Sequence, residues 1–202
     1  QQGLRDFSRR PSHYGFVFLM YPVIGLALFT WASGGNAVQL LFPMVTGFAL
    51  LGPFAAIGLY EMSRRLEKNL DTSWKHAFDV FKSPSMPAIA VLAVMLLGLF
   101  LLWIATAQSL YWWLYAELPP ASILDFIKDA ISTRRGLILI VIGNGIGFCF
   151  ALIALCTTVV AFPLLLDRDV GVFCAIHASI SAVKLNPVPM LFWGTIVASS
   201  LF

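Results

Sequence analysis

The chain has 202 residues, of which 59% are apolar and 11% are charged. A soluble domain carries charge on roughly a quarter of its residues, so this composition excludes an ordinary soluble domain and indicates a membrane protein. The 13 Lys and Arg residues and 10 Asp and Glu residues give a net charge of +3, which excludes the basic field of a nucleic-acid-binding protein.

The charged residues leave four long runs without any Asp, Glu, Lys or Arg: 11–60, 83–116, 136–166 and 185–202. A turn cluster at Ser33–Asn36 divides the first run. Since a bilayer core needs about 20 apolar residues per helix, the runs predict spanning helices at 14–32, 38–60, 87–114 and 136–166, and a fifth that begins near Pro187. The fifth is still apolar at Phe202, so we expect the full protein to be longer.

Alternating helices place residues 1–13, 61–85 and 167–186 on one face of the membrane and residues 33–37 and 115–135 on the other. The first face carries ten Lys and Arg residues and the second carries three. The excess of positive charge predicts a cytoplasmic N-terminus. The basic residues expected at the cytoplasmic interface are Arg9, Arg10, Arg64, Arg65, Lys82 and Lys184.

The connection over 117–135 has apolar residues at spacings of three and four, with Asp125, Lys128 and Asp129 between them. This pattern predicts an amphipathic helix that either lies on the membrane surface or packs on its neighbours. The preceding aromatic residues are interpreted as interfacial anchors rather than as a cage for a cation, because adjacent helical residues point about 100° apart. They are Tyr111, Trp112, Trp113 and Tyr115.

Three times a polar stretch leads into a proline and then into an apolar helix, with the prolines at Pro11, Pro84 and Pro187. A proline cannot continue the preceding helix, so each copy predicts an interfacial helix that ends there before the chain enters the membrane. The apolar residue four positions earlier is expected to anchor that helix among the lipid headgroups. These residues are Phe7, Val80 and Val183.

The repeat predicts an all-α, polytopic transmembrane bundle built from units of one interfacial helix and two spanning helices. Residues 1–202 form a single membrane domain in this interpretation, with units at about 1–60, 61–166 and 167–202. The last unit is cut off, so at least five spanning helices are expected here and six in the full protein.

Small residues at spacing four predict close helix packing at Gly143 with Gly147 and at Gly52 with Ala56. Gly143–Gly147 lies inside an apolar run and lacks the preceding strand of a dinucleotide site. Four neutral polar residues are candidates for the lining of a polar path: Asn144, Gln108, Thr157 and Thr158.

The sequence offers no pattern for chemistry. His13, His76 and His177 lie outside the predicted spans, and the cysteines show neither a paired framework nor a metal-ligand spacing. We therefore expect no catalytic residue, metal or cofactor. The group Glu61, Arg64, Arg65, Glu67 and Lys68 is interpreted as a solvated helix end with ion pairs at helical spacing, or alternatively as a docking patch for a partner.

Two segments resemble a known family. Leu166–Val170 with the later Asn186–Met190, and the stretch from Gly52 to Glu67, are similar to recurrent segments of the bacterial integral membrane family called domain of unknown function 2189. The resemblance implies a multi-helix inner-membrane protein and supplies no catalytic residues. Some members carry the label of a cytochrome c oxidase subunit, but this chain lacks the intramembrane histidines that a haem and copper subunit needs.

The sequence thus favours a non-catalytic subunit or scaffold of a respiratory or other energy-transducing complex in the bacterial inner membrane, with lipids and other membrane subunits as partners. The alternative is a transporter of small molecules or lipids with a neutral path between the repeats.

Overall fold

The computed structural model describes residues 40–48, 57, 60–61, 64–65, 83–116 and 122–200. The ordered elements in these residues are helices and no strand occurs among them, which confirms the all-α prediction for this part of the chain. The helices are α1 (Leu41–Phe48), α2 (Met86–Tyr115), α3 (Ile123–Ser132), α4 (Arg134–Thr158), α5 (Ala161–Asp167), α6 (Val172–Leu185) and α7 (Pro187–Ser200).

Within the described residues, two helical segments are long and apolar enough to cross a membrane: α2, and α4 together with α5. They correspond to the predicted spans 87–114 and 136–166. A third is possible if the bent pair α6 and α7 counts as one span. The predicted span 14–32 and most of 38–60 lie outside the described residues, so the five or six spans and the repeat units stay predictions.

Helix α2 is the central packing element of the described part. Its buried residues repeat at spacings of three, four and seven, which places them on one helical face. They are Ile89, Leu92, Leu96, Trp103 and Ala107, and Tyr115 is also buried, eight residues further along. This face contacts α1, α4, α5 and α6, and many of the other apolar residues of α2 are exposed, as expected for a helix in contact with lipid.

Trp103 joins three helices. Its indole Nε1–H donates a hydrogen bond to the Pro43 carbonyl of α1 at 2.9 Å, and its ring lies 5.6 Å from the ring of Phe150 on α4. The ring also covers Gly147, where a Cβ atom would be 3.1 Å away. A large aromatic side chain with a satisfied polar atom therefore fixes the spacing of α1, α2 and α4.

The predicted span 136–166 is interrupted in the structure, because α4 ends at Thr158 and α5 begins at Ala161. Pro163 explains the break, since its ring conflicts with the carbonyl of residue 159 in a continuous helix. In α5 the proline instead lies in the first turn, where its missing N–H is not needed. The freed N–H of Val160 donates to the hydroxyl of the buried Ser179 on α6 at 3.2 Å.

Helices α3 and α4 form a tight corner outside the spans. The Ser122 hydroxyl accepts a hydrogen bond from the Asp125 N–H and caps α3, while the Thr133 hydroxyl accepts one from the Gly136 N–H and caps α4. A Cβ atom on Gly136 would lie 2.4 Å from the backbone of Ala130. Only glycine permits so close an approach of the two helices.

Helix α6 starts after Gly171, whose φ of 77° favours glycine. Ala175, Ser179 and Val183 form its buried seam, which contacts α4 and α5. The helix ends before Pro187 as predicted, and the chain bends by 107° into α7. The expectation that Val183 anchors α6 in lipid is wrong, because spacing four from Ser179 turns the side chain toward the protein, where it is 7% exposed.

Candidate functional site

A charged cleft of about 340 Å³ lies where three chain segments end or begin. One segment follows the predicted second span, one precedes α2, and one follows α5. The described residues that line the charged cleft are Glu61, Arg64, Arg65, Ser83, Pro84, Ser85, Leu166, Asp167, Arg168 and Asp169.

Glu61 is the buried anchor of the charged cleft. It is 2% exposed, and Arg64 donates to both of its carboxylate oxygens, from Nε at 2.8 Å and from Nη2 at 2.9 Å. Arg65 donates from Nε to Oε1 at 3.1 Å. The two guanidinium groups compensate for the loss of water around the carboxylate. The two hydrogen bonds from Arg64 also fix the plane of its guanidinium group.

This arrangement corrects part of the sequence interpretation. Glu61 does pair with Arg64 and Arg65 at spacings of three and four, but the helix end is not simply solvated. The hydrogen bonds to Glu61 raise the pKa of Arg64, and the negative charge of Asp167 acts in the same direction. Residues more than a hundred positions apart therefore share one electrostatic environment.

The opposite wall of the charged cleft carries charges of both signs. Arg168 and Asp167 form a long ion pair of 3.5 Å, with side-chain exposures of 73% and 53%. Asp169 is also exposed. The wall lies at the end of α5 and just after it, so the interruption at Pro163 and the docking of α5 on α6 position these charges.

A second polar cluster fixes the α3–α4 corner. Arg135 donates to both carboxylate oxygens of Asp129, from Nη2 at 2.8 Å and from Nε at 3.0 Å. The buried Tyr115 donates its hydroxyl to Asp129 Oδ2 at 2.6 Å. These bonds, led by that of Arg135, lower the pKa of Asp129 to about 2, and the Thr133 hydroxyl adds to the effect.

The aromatic residues at the end of α2 divide into two groups. Tyr111 and Tyr115 stack with ring centroids 5.0 Å apart, Phe126 meets both edge-on, and the Arg135 guanidinium lies 4.6 Å from the Tyr115 ring centroid. Residues at spacing four therefore do pack against each other, and the cation that lies over one of them, Tyr115, belongs to the chain itself. Trp112 and Trp113 are exposed, in keeping with the predicted interfacial anchors.

The predicted packing glycines have different surroundings. A Cβ atom on Gly147 would meet Trp103, whereas one on Gly143 would lie 3.7 Å from Leu110, an ordinary contact. Gly52 and Ala56 lie outside the described residues. Gly47, which the sequence reasoning missed, is more crowded than either, because a Cβ atom there would be 2.5 Å from Trp103 Cδ1.

Three of the four candidate lining residues donate hydrogen bonds to their own helix. Asn144 donates to the Ile140 carbonyl, Thr157 to Ile153 and Thr158 to Ala154. Asn144 is exposed, and Thr158 is buried about 21 Å further along the helix at 1.5 Å per residue. The fourth candidate, Gln108, is half-buried on α2.

The other predicted positions are dispersed. Lys184 is exposed in the last turn of α6, and Arg9, Arg10 and Lys82 lie outside the described residues. His177 is exposed on α6, and His13 and His76 are also outside that part. Among the described residues, no three His, Cys, Asp or Glu side chains are placed to hold a metal ion.

A family model described as "Predicted integral membrane protein (DUF2189)" matches residues 41–167, which is more than half of the chain. The chain belongs to this family. Comparisons with curated proteins and with solved structures give no significant match. The DUF2189 description agrees with the two described helical segments that are able to cross a membrane.

The DUF2189 match contains most of the charged cleft, from Glu61 through Ser85 to Asp167. The two segments on which the resemblance rests, around Glu61 and around Asp167, meet in this cleft. No local sequence pattern indicates this contact, because it depends on the packing of α2, α5 and α6. For the ion pair between Arg135 and Asp129, the sequence contains only one weak indication: the two residues are six positions apart, on either side of the helix cap at Thr133.

Proposed function

We propose that the chain is a non-catalytic integral protein of the bacterial inner membrane that acts as an accessory or scaffold subunit of a respiratory or other energy-transducing complex. Its N-terminus lies in the cytoplasm in this proposal, because the positive charge is concentrated on that side.

The exposed face of α4 around Asn144 and Gly145 carries the proposal. Asn144 presents an amide on the outside of a spanning helix, and its hydrogen bond to Ile140 is the one it makes among the described residues. A Cβ atom on Gly145 would meet nothing within 4 Å. A glycine beside an exposed amide allows a second helix to approach closely and to pair with the amide, which lipid cannot do.

The burial of the spans supports the same conclusion. The two spans differ in how much of their most apolar stretch is buried. In α2, 22% of that stretch is buried, whereas in the span of α4 and α5 only 6% is buried. Helix α4 thus has a large apolar surface that the described residues leave uncovered, and such a surface suits contact with another membrane subunit. The hydroxyl groups of Thr157 and Thr158 are directed to the α4 backbone, which favours a subunit over a polar path.

The experiment is native mass analysis of the full-length protein, purified from its own membrane in mild detergent, together with an absorption spectrum. We expect a complex that contains other membrane subunits, and haem absorption if that complex is respiratory. Recovery of a lone, colourless monomer would contradict the subunit proposal.

The alternative, a transporter of small molecules or lipids, is favoured by the interrupted span at Val159–Val160 and the 107° bend between α6 and α7. Discontinuous helices are typical of transporters. The substitution Asn144→Leu separates the two proposals. A subunit should lose its partner and a transporter should lose flux, with the monomer folded in both cases.

Thr106→Val is the matched control for Asn144→Leu, because the Thr106 hydroxyl also donates to its own helix, at the Leu102 carbonyl. This control should leave both assembly and flux unchanged. A loss of assembly in both variants would show that Asn144 has no specific role.

A further inference from the structure

The charged cleft lies at the level of the lipid headgroups. Helix α2 is 30 residues long and the span of α4 and α5 is 34 residues long, which correspond to about 45 and 51 Å at 1.5 Å per residue. A bilayer with its headgroups is about 40–45 Å thick. The start of α2 and the end of α5, which both border the cleft, therefore reach the headgroup layer.

The size of the charged cleft suits a small polar group. Its volume of about 340 Å³ falls at the lower end of the roughly 300–1,000 Å³ that is usual for small-molecule sites. This space accommodates a phosphate with a short alcohol attached, whereas acyl chains would remain in the apolar layer beside α2 and α5.

The charges of the cleft favour a ligand that carries both a positive and a negative group. The described lining residues include three arginines and three carboxylates, so the charges of this described lining balance and do not favour a simple anion. Glu61 is buried and bonded to Arg64 and Arg65. The groups that reach solvent are Arg64 and Arg168 on the positive side and Asp167 and Asp169 on the negative side.

The ion pair between Glu61 and Arg64 also orients a hydrogen-bond donor that a phosphate group could use. Arg64 uses Nε and Nη2 for the carboxylate, and its Nη1 group has no hydrogen-bond partner among the described residues. A guanidinium held along one edge presents the remaining N–H groups in a fixed direction, which suits a phosphate oxygen. The carboxylates of the opposite wall would accept hydrogen bonds from an ammonium group.

From this combination we propose that the charged cleft binds the headgroup of a zwitterionic aminophospholipid, with its phosphate at Arg64 and Arg168 and its primary ammonium at Asp167 and Asp169. A free phosphoethanolamine ester has the same chemistry, but the position at the headgroup layer selects the lipid. A choline headgroup fits less well because its nitrogen has no N–H to donate to a carboxylate.

The test uses the full chain, delipidated in mild detergent and mixed with equal amounts of phosphatidylethanolamine, phosphatidylcholine and phosphatidylglycerol with identical acyl chains. Native mass spectrometry measures the bound fraction of each lipid. We expect phosphatidylethanolamine to be retained best. Equal retention of the three lipids, or a preference for phosphatidylglycerol, would overturn the proposal.

Asp169→Asn is the first variant, because Asp169 is exposed and lies outside the helices, so that the fold does not depend on it. It should lower the affinity for phosphatidylethanolamine about two- to fivefold, the range of one exposed ion pair. Asp125→Asn is the matched control, since Asp125 is an exposed carboxylate on α3, away from the cleft. Equal effects of the two substitutions would contradict the site.

Soluble phosphoethanolamine is the final arm of the experiment. It should displace the lipid only at a large molar excess, because it lacks the acyl chains beside α2 and α5. Displacement at concentrations equal to that of the lipid would show that the ligand is a free solute and that the lipid assignment is wrong. The accessory or scaffold role could stand in either case, since it depends on the distant face of α4.

Discussion

Gly136 is the residue at which the α3–α4 corner is most tightly constrained. A Cβ atom there would lie 2.4 Å from the Ala130 Cα atom and from the Asp129 carbonyl oxygen. Both are backbone atoms, so a rotamer change of a neighbouring side chain cannot relieve the contact. The two helices would have to separate.

We therefore expect Gly136→Ala to lower the free energy of unfolding by about 1–3 kcal/mol, as overpacking usually does. Reversible unfolding in mixed micelles measures the change. Gly98→Ala is the control, because a Cβ atom on Gly98 has nothing within 4 Å. If both substitutions have the same effect, the close approach at Gly136 does not limit stability.

Asp129 makes the corner sensitive to acid. Its pKa is about 2 in the folded chain, whereas an aspartate in an unfolded chain has a pKa near 3.9. Its contribution to stability is thus fully present above about pH 4 and is lost as the pH falls through about 2. The difference in melting temperature between the native chain and Asp129→Asn should narrow over this interval.

Arg135→Gln is the companion variant for the acid response. It removes the largest cause of the lowered pKa of Asp129, so it should weaken the dependence on pH in the same interval. Thermal unfolding from pH 2 to pH 7 tests both variants. If the difference in melting temperature between each variant and the native chain stayed constant across the pH range, the ion pair would not be the cause of the acid sensitivity.

At the scale of the elements, the sequence located two of its five predicted spans well and the interruption of one of these two poorly. The charge-free runs locate α2 and the combined α4 and α5 to within a few residues, because burial in lipid requires the absence of charge along the whole helix. The break at Val159–Val160 has a local signal in Pro163. Its stabilisation by Ser179 has none, since that contact joins residues brought together only by packing.

The break itself leads to a prediction at this scale. Ser179→Ala would leave the half-buried Val160 N–H without its acceptor, so we expect a loss of about 0.5–1.5 kcal/mol in the free energy of unfolding. Ser109→Ala is the control, because the exposed Ser109 hydroxyl donates only to the Ala105 carbonyl of its own helix. Comparable losses in the two variants would mean that the Val160 bond does not stabilise the break.

Helix α3 shows how far an amphipathic pattern can be interpreted. Both alternatives left open by the sequence describe part of it: Phe126 packs on Tyr111 and Tyr115, while Leu124, Ile127 and Ile131 are exposed along another side. Spacings of three and four identify apolar faces but not which one meets protein. The exposed stripe beside two spanning segments is suited to the membrane surface.

At the scale of the whole molecule, the charged cleft was the least predictable feature. Glu61 and Arg64 are neighbours on a helix, so their pairing follows from spacing. Their approach to Asp167 requires the correct packing of α2 against α5, which no local pattern encodes. The sequence thus predicted the charged residues as surface groups, and the tertiary structure makes one of them, Glu61, a buried one.

Orientation in the membrane is also a property of the whole molecule. Lys128 on α3 and Lys184 on α6 are both exposed, and the proposed cytoplasmic N-terminus would place them on opposite sides of the membrane. In a background with serine in place of the cysteines, Lys128→Cys should react with a membrane-impermeant maleimide in intact cells. Lys184→Cys should react only after lysis, and the reverse pattern would invert the proposed orientation.

The hydrogen bond between Val160 and Ser179 has a consequence for biosynthesis. The ribosome releases the chain from its N-terminus at about 5–20 residues per second, so α4 and α5 are made before α6. The Val160 N–H receives its acceptor only when Ser179 has been translated and α6 has docked. The wall of the charged cleft at the end of α5 is therefore among the later parts of the described structure to reach its final position during synthesis.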